Sequence, residues 1–214
     1  MNAKTNLPAG VTNRMILVRH GEPVETAKGR CYGKLDVGLS EKGGRQIEAA
    51  AEFLESFRLA AIYASPRTRA VESANIIARK WGLPVAVEKN FAEIDFGDFE
   101  NLLYEEVKRR YPEIYRQWMA APTTVEFPNG ESFAAMQTRV LQAADSLKRA
   151  HAGEAFAVVS HGGANRIVLA NVLNINSADI FRLEQSYAAV NVIDFYDEFP
   201  VVRVLNRTAE NSWR

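Results

Sequence analysis

An apolar stretch that stops abruptly at charged residues constrains the fold more than any other feature of the chain. Residues 15–18 read Met-Ile-Leu-Val, which is typical of a central strand buried on both faces. Arg19, His20 and Gly21 follow directly. Since glycine permits a tight turn, Arg19 and His20 are predicted at the carboxyl end of the strand, where open α/β sheets place ligands. A surface turn that merely holds an arginine and a histidine is the alternative.

A second stretch repeats this arrangement. Residues 155–159 are apolar and lead into Ser160-His161-Gly162-Gly163, after which a helix is predicted. Carboxyl ends of parallel strands meet at one edge of a sheet, so His20 and His161 are predicted to converge. A lone His-Gly pair is weak evidence, because single histidines are more often structural. Two pairs in the same context favour a functional site.

Strand and helix patterns alternate along the chain. Short strands are predicted at 61–64 and 85–87, and helices at about 41–57, from Ser65-Pro66 to Gly82, and from 133 onward. In the second of these helices Ser65 is predicted as the cap and Pro66 as the first helical residue. This alternation predicts a three-layer α/β/α fold around a mostly parallel sheet. Two late strands, at 188–195 and 201–205, have no crossover helix between them, so at least one is predicted to be antiparallel. The first dozen residues have no periodic pattern and are expected to be irregular.

The alternation breaks down at about residues 90–130, called the lid segment below. This segment holds short helical pieces, aromatic residues and a run of four carboxylates: Glu93, Asp95, Asp98 and Glu100. Such carboxylates are most often solvated and such aromatics most often pack. We interpret the segment as a lid-like insertion in a single domain spanning 1–214, since this length suits one domain with a full core.

Composition limits the partners that the chain can have. Lysine plus arginine equals aspartate plus glutamate, 26 each, so no overall field would attract nucleic acid or an anionic membrane. A single cysteine, Cys31, excludes an internal disulfide framework, and no Cys/His cluster has zinc-ligand spacing. No stretch approaches the ~18 apolar residues of a membrane span, and residues 1–14 lack a signal-peptide core. We therefore expect a soluble cytoplasmic protein whose anion site, if present, is local.

Two arginines indicate where such a site could lie. Arg67 and Arg69 fall in the predicted first turn of the helix that begins at Ser65-Pro66. The positive end of the helix dipole disfavours cations there unless an anion is nearby.

Four motifs in order, covering nearly the whole chain, resemble the histidine phosphatase superfamily, also called phosphoglycerate mutase-like. They are Arg19-His20-Gly21-Glu22, Leu39-Ser40-Glu41-Lys42-Gly43, Ser65-Pro66-Arg67-Thr68-Arg69-Ala70 and Ser160-His161-Gly162-Gly163. The resemblance implies that His20 becomes phosphohistidine, that Arg19 and Arg69 bind phosphate, and that His161 adds a donor and positive charge. Arg69 inherits its role because it directly precedes the alanine of the motif. No metal and no cofactor is implied.

The resemblance also implies a proton donor. Glu93 keeps the family's Glu-x-x-x-Gly spacing up to Gly97, and Asp95 is the reserve candidate. To stay protonated until used, Glu93 should be partly desolvated or close to another carboxylate. Two departures concern secondary contacts: Thr26 stands where many members have a phosphate-contacting asparagine, and Pro23 replaces a common Ser or Thr.

The function implied is a metal-independent phosphomonoester hydrolase acting on a small phosphorylated metabolite. A cofactor-dependent phosphoglycerate mutase and a non-catalytic phospho-ligand binder are the alternatives. Residues 97–101 and 129–132 look like the phosphatase branch, and residues 29–36 resemble the α-ribazole phosphatases, a likeness that broad-specificity relatives share. Specificity is expected to reside in 26–38 and 98–129. The expected partner is a small-molecule phosphomonoester, with no nucleic acid and no membrane, and a homodimer is left open.

Overall fold

The computed structural model describes residues 7–210. Most of the early irregular stretch that the sequence predicts, residues 1–6, lies outside the described range, and residues 7–12 form neither helix nor strand. The strands are β1 (Asn13–Arg19), β2 (Leu59–Ala64), β3 (Val85–Val87), β4 (Ala155–Ser160), β5 (Val190–Phe195) and β6 (Pro200–Arg207). The α-helices are α1 (Glu41–Leu54), α2 (Thr68–Ala78), α3 (Tyr104–Arg110), α4 (Pro112–Ala120), α5 (Phe133–Ala150) and α6 (Gly162–Val172).

Within residues 7–210, six strands form one mixed sheet in the order β3-β2-β4-β1-β5-β6. Strands β3, β2, β4 and β1 run parallel, whereas β5 is antiparallel to β1 and to β6. The predicted late antiparallel strand is therefore confirmed. In the β1–β4 pair Arg19 lies beside Ser160, so the residues that follow each strand emerge next to each other at one edge.

Side-chain alternation along the strands produces two cores. In β1, Ile16 and Val18 pack with α1 and α2, while Met15 and Leu17 pack with α5 and α6 on the other face. This period of two is what a pleated strand imposes when both of its faces are covered. The predicted three-layer α/β/α architecture is confirmed.

The second predicted helix begins and ends differently from the prediction. Helix α2 starts at Thr68, not at Pro66, and ends at Ala78, before Gly82. Ser65 does not cap it. Instead, the carboxylate of Asp36 accepts hydrogen bonds from the Thr68 backbone N–H and hydroxyl, both at 2.7 Å. A cap supplied by a distant loop leaves no local signal in the sequence.

Helix α1 begins as predicted, because the Ser40 hydroxyl accepts a hydrogen bond from the Gly43 N–H. It ends at Leu54, three residues before the predicted Phe57. The backbone N–H groups of Glu55 and Phe57 bond to carbonyls three residues earlier, which tightens the chain into a turn just before β2.

The lid segment contains two 3-10 turns, at 89–91 and 97–99, followed by α3 and α4. Aromatic rings hold it together, with Trp118 and Phe127 centred 5.2 Å apart and Phe96 and Phe127 4.9 Å apart. Glu100 departs from the solvated role expected of these carboxylates, because it accepts backbone hydrogen bonds from Lys34, Leu35 and Phe96. It thereby ties the 34–35 loop to the lid segment. The division into one domain with a lid stays a prediction.

No helix within residues 7–210 combines the length and the apolar character needed to cross a membrane.

Candidate active site

His20 lies immediately after β1 and is 2% exposed. Its Nδ1 atom is 2.7 Å from the carbonyl oxygen of Gly21. Because a carbonyl oxygen can only accept, Nδ1 carries the hydrogen and Nε2 keeps its lone pair. Gly21 is required by close packing, since a Cβ there would lie 2.3 Å from the Gly43 carbonyl oxygen. The chain thus presents an unprotonated imidazole nitrogen at the carboxyl edge of the sheet.

His161 follows β4 and opens α6, and its ring centre lies 5.2 Å from that of His20. The predicted convergence of the two histidines is observed. The Nε2 atom of His161 is 2.6 Å from the hydroxyl oxygen of Ser65, while Nδ1 is buried and has no hydrogen-bond partner.

Arg69 is completely buried beside these rings. Its Nη1 atom donates to the Leu35 carbonyl at 2.9 Å, and its Nη2 atom donates to the carbonyls of Tyr32 and Gly33 at 3.0 and 2.9 Å. Backbone carbonyls therefore hold the terminal nitrogens in place. The remaining nitrogen, Nε, has no partner.

Arg19 is held from the opposite side. Its Nη1 atom donates to the Gln185 carbonyl at 2.5 Å, and its guanidinium carbon lies 4.1 Å from the centre of the Tyr187 ring, within cation–π range. Gln185 is itself fixed by paired amide hydrogen bonds with Asn191 on β5. As in Arg69, the buried Nε of Arg19 has no partner.

Burial and positive neighbours keep both imidazoles neutral. Burial lowers the pKa of His20 well below its ordinary 6.5, and Arg19 and then Arg69 lower it further, whereas the bond to Gly21 opposes the shift. The pKa of His161 is likewise lowered well below 6.5, first by burial and then by Arg69. A neutral imidazole keeps the lone pair that a nucleophile needs.

Glu93 reaches the same place from the lid segment. One carboxylate oxygen accepts from its neighbour Ile94 N–H at 3.0 Å, and the other accepts from Gly163 N–H at 3.1 Å, in the first turn of α6. Gly163 is needed here, since a Cβ at that position would lie 2.4 Å from the Glu93 Oε1 atom. Among the residues that the structure describes, no second carboxylate is hydrogen-bonded to Glu93, and the residue is partly buried.

Three residues singled out in the sequence lie away from the two histidines: Asp95, the reserve proton donor, and Thr26 and Pro23, which depart from the family pattern. Asp95 accepts from the Gly97 N–H at 2.9 Å and pairs with Lys34 at 3.2 Å, outside the cleft that contains the histidines. Thr26 is exposed and does not line that cleft, and Pro23 is buried beside a different, smaller cavity. Arg67 also lies outside the cleft, whereas Arg69 lines it.

The cleft has a volume of about 430 Å³ and two chemically different ends. One end holds the residues that the sequence predicts: Arg19, His20, Arg69, Glu93 and His161. The other is apolar and mostly aromatic, with Phe96, Tyr104, Trp118, Met119, Phe127, Phe133, Met136, Ile180 and Phe181. Tyr104 stacks on Trp118 with ring centres 5.4 Å apart.

Sequence reasoning missed several of these residues. Trp118 and Tyr104 fall in the 98–129 range expected to set specificity, and Tyr32 falls in 26–38. Ile180 and Phe181 come from a 3-10 segment at 177–182 that carries no recognisable motif. The sequence predicted Ser65 as a helix cap and as the first residue of a motif, but not as a partner of His161, and the backbone carbonyl of Gln185 leaves no sequence signal at all.

Together, the edge of the parallel strands, a histidine with a free lone pair, the buried Arg69 and the partly buried Arg19 define an α/β site built for an anion. Comparison with known proteins places this site in a family. The chain belongs to the histidine phosphatase superfamily (branch 1), which it matches over residues 15–208. The resemblance found in the sequence is therefore confirmed.

Three relatives illustrate the range of the family. A bifunctional protein of Mycobacterium tuberculosis is 34% identical over 201 residues, covering 93% of this chain but 55% of that protein, so the chain spans about half of that relative. Phosphoserine phosphatase 1 of Hydrogenobacter thermophilus is 34% identical over 195 residues, covering 91% and 92%. The crystal structure of the α-ribazole phosphatase from Shigella flexneri superposes with a TM-score of 0.82 at 25% identity, covering 91% and 96%. The roles of the individual site residues stay predictions.

Proposed function

We propose that the protein is a metal-independent phosphomonoester hydrolase that acts through a phosphohistidine at His20. One observation carries this proposal: Arg19 Nε, Arg69 Nε and His161 Nδ1 are buried nitrogens without partners, and all three residues line the cleft beside His20. Leaving a buried donor unsatisfied costs on the order of 1–3 kcal/mol. A phosphoryl group has acceptor oxygens for all three nitrogens at once.

The proposed first step transfers the phosphoryl group to the enzyme. The lone pair on His20 Nε2 forms a bond to phosphorus while the bond to the ester oxygen breaks. Glu93 gives its proton to the departing oxygen, which leaves as an alcohol. Arg19, Arg69 and His161 stabilise the charge on the equatorial oxygens, the interaction on which phosphoryl transfer chiefly depends.

The second step regenerates the enzyme. Water attacks phosphorus, gives a proton to the Glu93 carboxylate and breaks the bond to His20, so that inorganic phosphate is released. Glu93 enters the first step as the acid, and its two carboxylate oxygens accept the backbone hydrogen bonds of Ile94 and Gly163 that hold it in the cleft.

The apolar end of the cleft supports a metabolite with a bulky apolar or aromatic leaving group, and α-ribazole phosphate is the candidate that the Shigella structure suggests. A phosphoserine substrate, suggested by the Hydrogenobacter relative, would need a carboxylate for its ammonium group. Within the described part of the chain, Glu93 is the only carboxylate that lines the cleft, and it is engaged in catalysis. We therefore rank α-ribazole phosphate above phosphoserine.

The test is a turnover screen over α-ribazole phosphate, phosphoserine, p-nitrophenyl phosphate and 3-phosphoglycerate, each with and without EDTA. Hydrolysis that favours the aromatic esters and is unaffected by EDTA is the expected result. Phosphate exchange between positions of phosphoglycerate without release would establish a mutase instead. Binding of these esters without any turnover would establish a phospho-ligand binder, and inhibition by EDTA would contradict metal independence.

A further inference from the structure

Ser65 has an unexpected place in the site. It is completely buried at the end of β2, and its hydroxyl oxygen lies 2.6 Å from Nε2 of His161, which follows the neighbouring strand β4. The sequence favours it as a helix cap, but α2 begins three residues later. The hydroxyl is thus available to the histidine.

The other hydrogen bond of the Ser65 hydroxyl favours one direction for its contact with His161. The Ser65 hydroxyl oxygen accepts a long bond, 3.4 Å, from the Arg67 backbone N–H, so its own hydrogen needs an acceptor. His161 Nε2 is that acceptor at 2.6 Å if Nε2 is unprotonated. The hydrogen of the neutral ring then sits on Nδ1, the buried atom that has no partner in the protein. The opposite tautomer would leave the serine hydrogen unused and place a lone pair at Nδ1.

The two tautomers have different consequences for catalysis. An N–H at Nδ1 can donate to a phosphoryl oxygen, whereas a lone pair there would repel it. Because burial and the nearby arginines lower the pKa of His161, the ring cannot rely on a second proton to become a donor at both nitrogens.

We propose that Ser65 is a positioning residue that donates its hydroxyl hydrogen to His161 Nε2 and thereby holds Nδ1–H as a donor to the transferring phosphoryl group. His20 shows the complementary arrangement, since the Gly21 carbonyl fixes its hydrogen on Nδ1 and leaves Nε2 free to attack. One ring presents a lone pair to the cleft and the other presents a hydrogen. This inference rests on the proposed phosphatase function.

The test is nitrogen NMR of protein labelled with ¹⁵N-histidine. The chain has three histidines, so six ring nitrogens report directly on the tautomers. In the wild-type protein near pH 7.5, His161 should show a protonated Nδ1 and an unprotonated Nε2. A protonated Nε2 at His161 would overturn the proposal without any variant having to fold.

Variants then connect the tautomer to turnover. Ser65→Ala should populate the other tautomer of His161 and lower kcat by ~10-fold or more, approaching the ~10²-fold loss typical of a deleted transition-state donor. Ser65→Thr, which keeps the hydroxyl, should retain most of the activity. Ser160→Ala is the matched control, since that buried hydroxyl donates to the Phe91 carbonyl, whereas the hydrogen bonds of the two rings go to Gly21 and Ser65.

The outcomes separate this inference from the proposed function. An unchanged tautomer with unchanged kcat in Ser65→Ala would overturn the role of Ser65 while leaving the phosphatase intact. Failure of the wild-type protein to hydrolyse any phosphomonoester would overturn the proposed function. The NMR measurement would still decide whether Ser65 holds the predicted tautomer of His161, because it does not depend on turnover.

Discussion

Replacing Gly163 by alanine should separate catalysis from stability. The added Cβ would lie 2.4 Å from the Glu93 Oε1 atom and 3.2 Å from its carboxyl carbon. An ordinary non-bonded separation is about 3.5 Å, so the carboxylate must withdraw by roughly 1 Å. Withdrawal also strains its hydrogen bond to the Gly163 N–H. The carboxylate is the far end of a rotatable side chain, so this movement costs the fold little.

Gly163→Ala should lower the catalytic rate without lowering the stability of the fold. A misplacement of about 1 Å can cost ~10²-fold in rate, which is also the lower end of the loss expected when a general acid no longer acts. Meanwhile alanine is favoured over glycine in a helix by up to about 1 kcal/mol, or roughly 2–4 °C in Tm for a chain of this size. We therefore expect Gly163→Ala to lower kcat for glycerol 2-phosphate by about 10²-fold with an unchanged or higher Tm.

The assay pairs steady-state phosphate release with calorimetry on the same samples. Gly44→Ala is the matched control, since Gly44 also lies in a helix, α1, but a Cβ there meets nothing within 4 Å. It should keep wild-type turnover. Wild-type hydrolysis of glycerol 2-phosphate by Gly163→Ala would refute the assignment of Glu93 as the proton donor in the observed position.

Three further predictions follow from the same geometry. Glu93→Gln should slow the first turnover of alkyl phosphates by ~10²–10⁴ but barely affect the p-nitrophenyl phosphate burst, because p-nitrophenolate leaves without a proton; equal damage in rapid-mixing experiments would count against proton transfer. Arg69→Lys should lower kcat/KM by about 10²-fold or more, since lysine cannot replace three carbonyl contacts and the free Nε; circular dichroism checks the fold. Folding lowers the pKa of His20, so below pH 6.5 the unfolded chain binds more protons than the folded one, and the free energy of unfolding should decrease as the pH is lowered. Urea titrations at pH 7.5 and 5.5 should show a smaller decrease in His20→Asn than in the wild-type protein, and an equal decrease would contradict the lowered pKa.

Much of the fold and of the site could be predicted from the sequence because both depend on local patterns. The apolar strand and its following Arg19-His20-Gly21 specify a buried strand and its carboxyl end at the same time. The repeated His-Gly context after β4 then predicted the meeting of His20 and His161, since parallel strands align their ends. The resemblance was enough to choose Arg69 over Arg67 and Glu93 over Asp95. Arg69 and Glu93 line the cleft and Arg67 and Asp95 do not, while the roles themselves stay predictions.

What the sequence could not predict depends on contacts between distant segments. Asp36 caps α2 across 32 positions, so the predicted start of that helix was wrong by two residues and Ser65 was wrongly predicted as its cap. Glu100 lies in an acidic run of the kind that is most often solvated, yet it accepts hydrogen bonds from three backbone N–H groups in two segments. Phe181 enters the cleft through tertiary packing alone.

The most direct test of the proposed phosphohistidine mechanism is to identify the phosphorylated residue. Wild-type protein and Glu93→Gln should be mixed with p-nitrophenyl phosphate and quenched in alkali within the first turnover, and the adduct should be mapped by peptide mass spectrometry and ³¹P NMR. The proposed phosphohistidine mechanism predicts one phosphoryl group on Nε2 of His20, accumulating further in Glu93→Gln because water attack on it is slowed, and no adduct in a folded His20→Ala. Phosphate release without any phosphohistidine, or an adduct on His161 or on Nδ1 of His20, would contradict it.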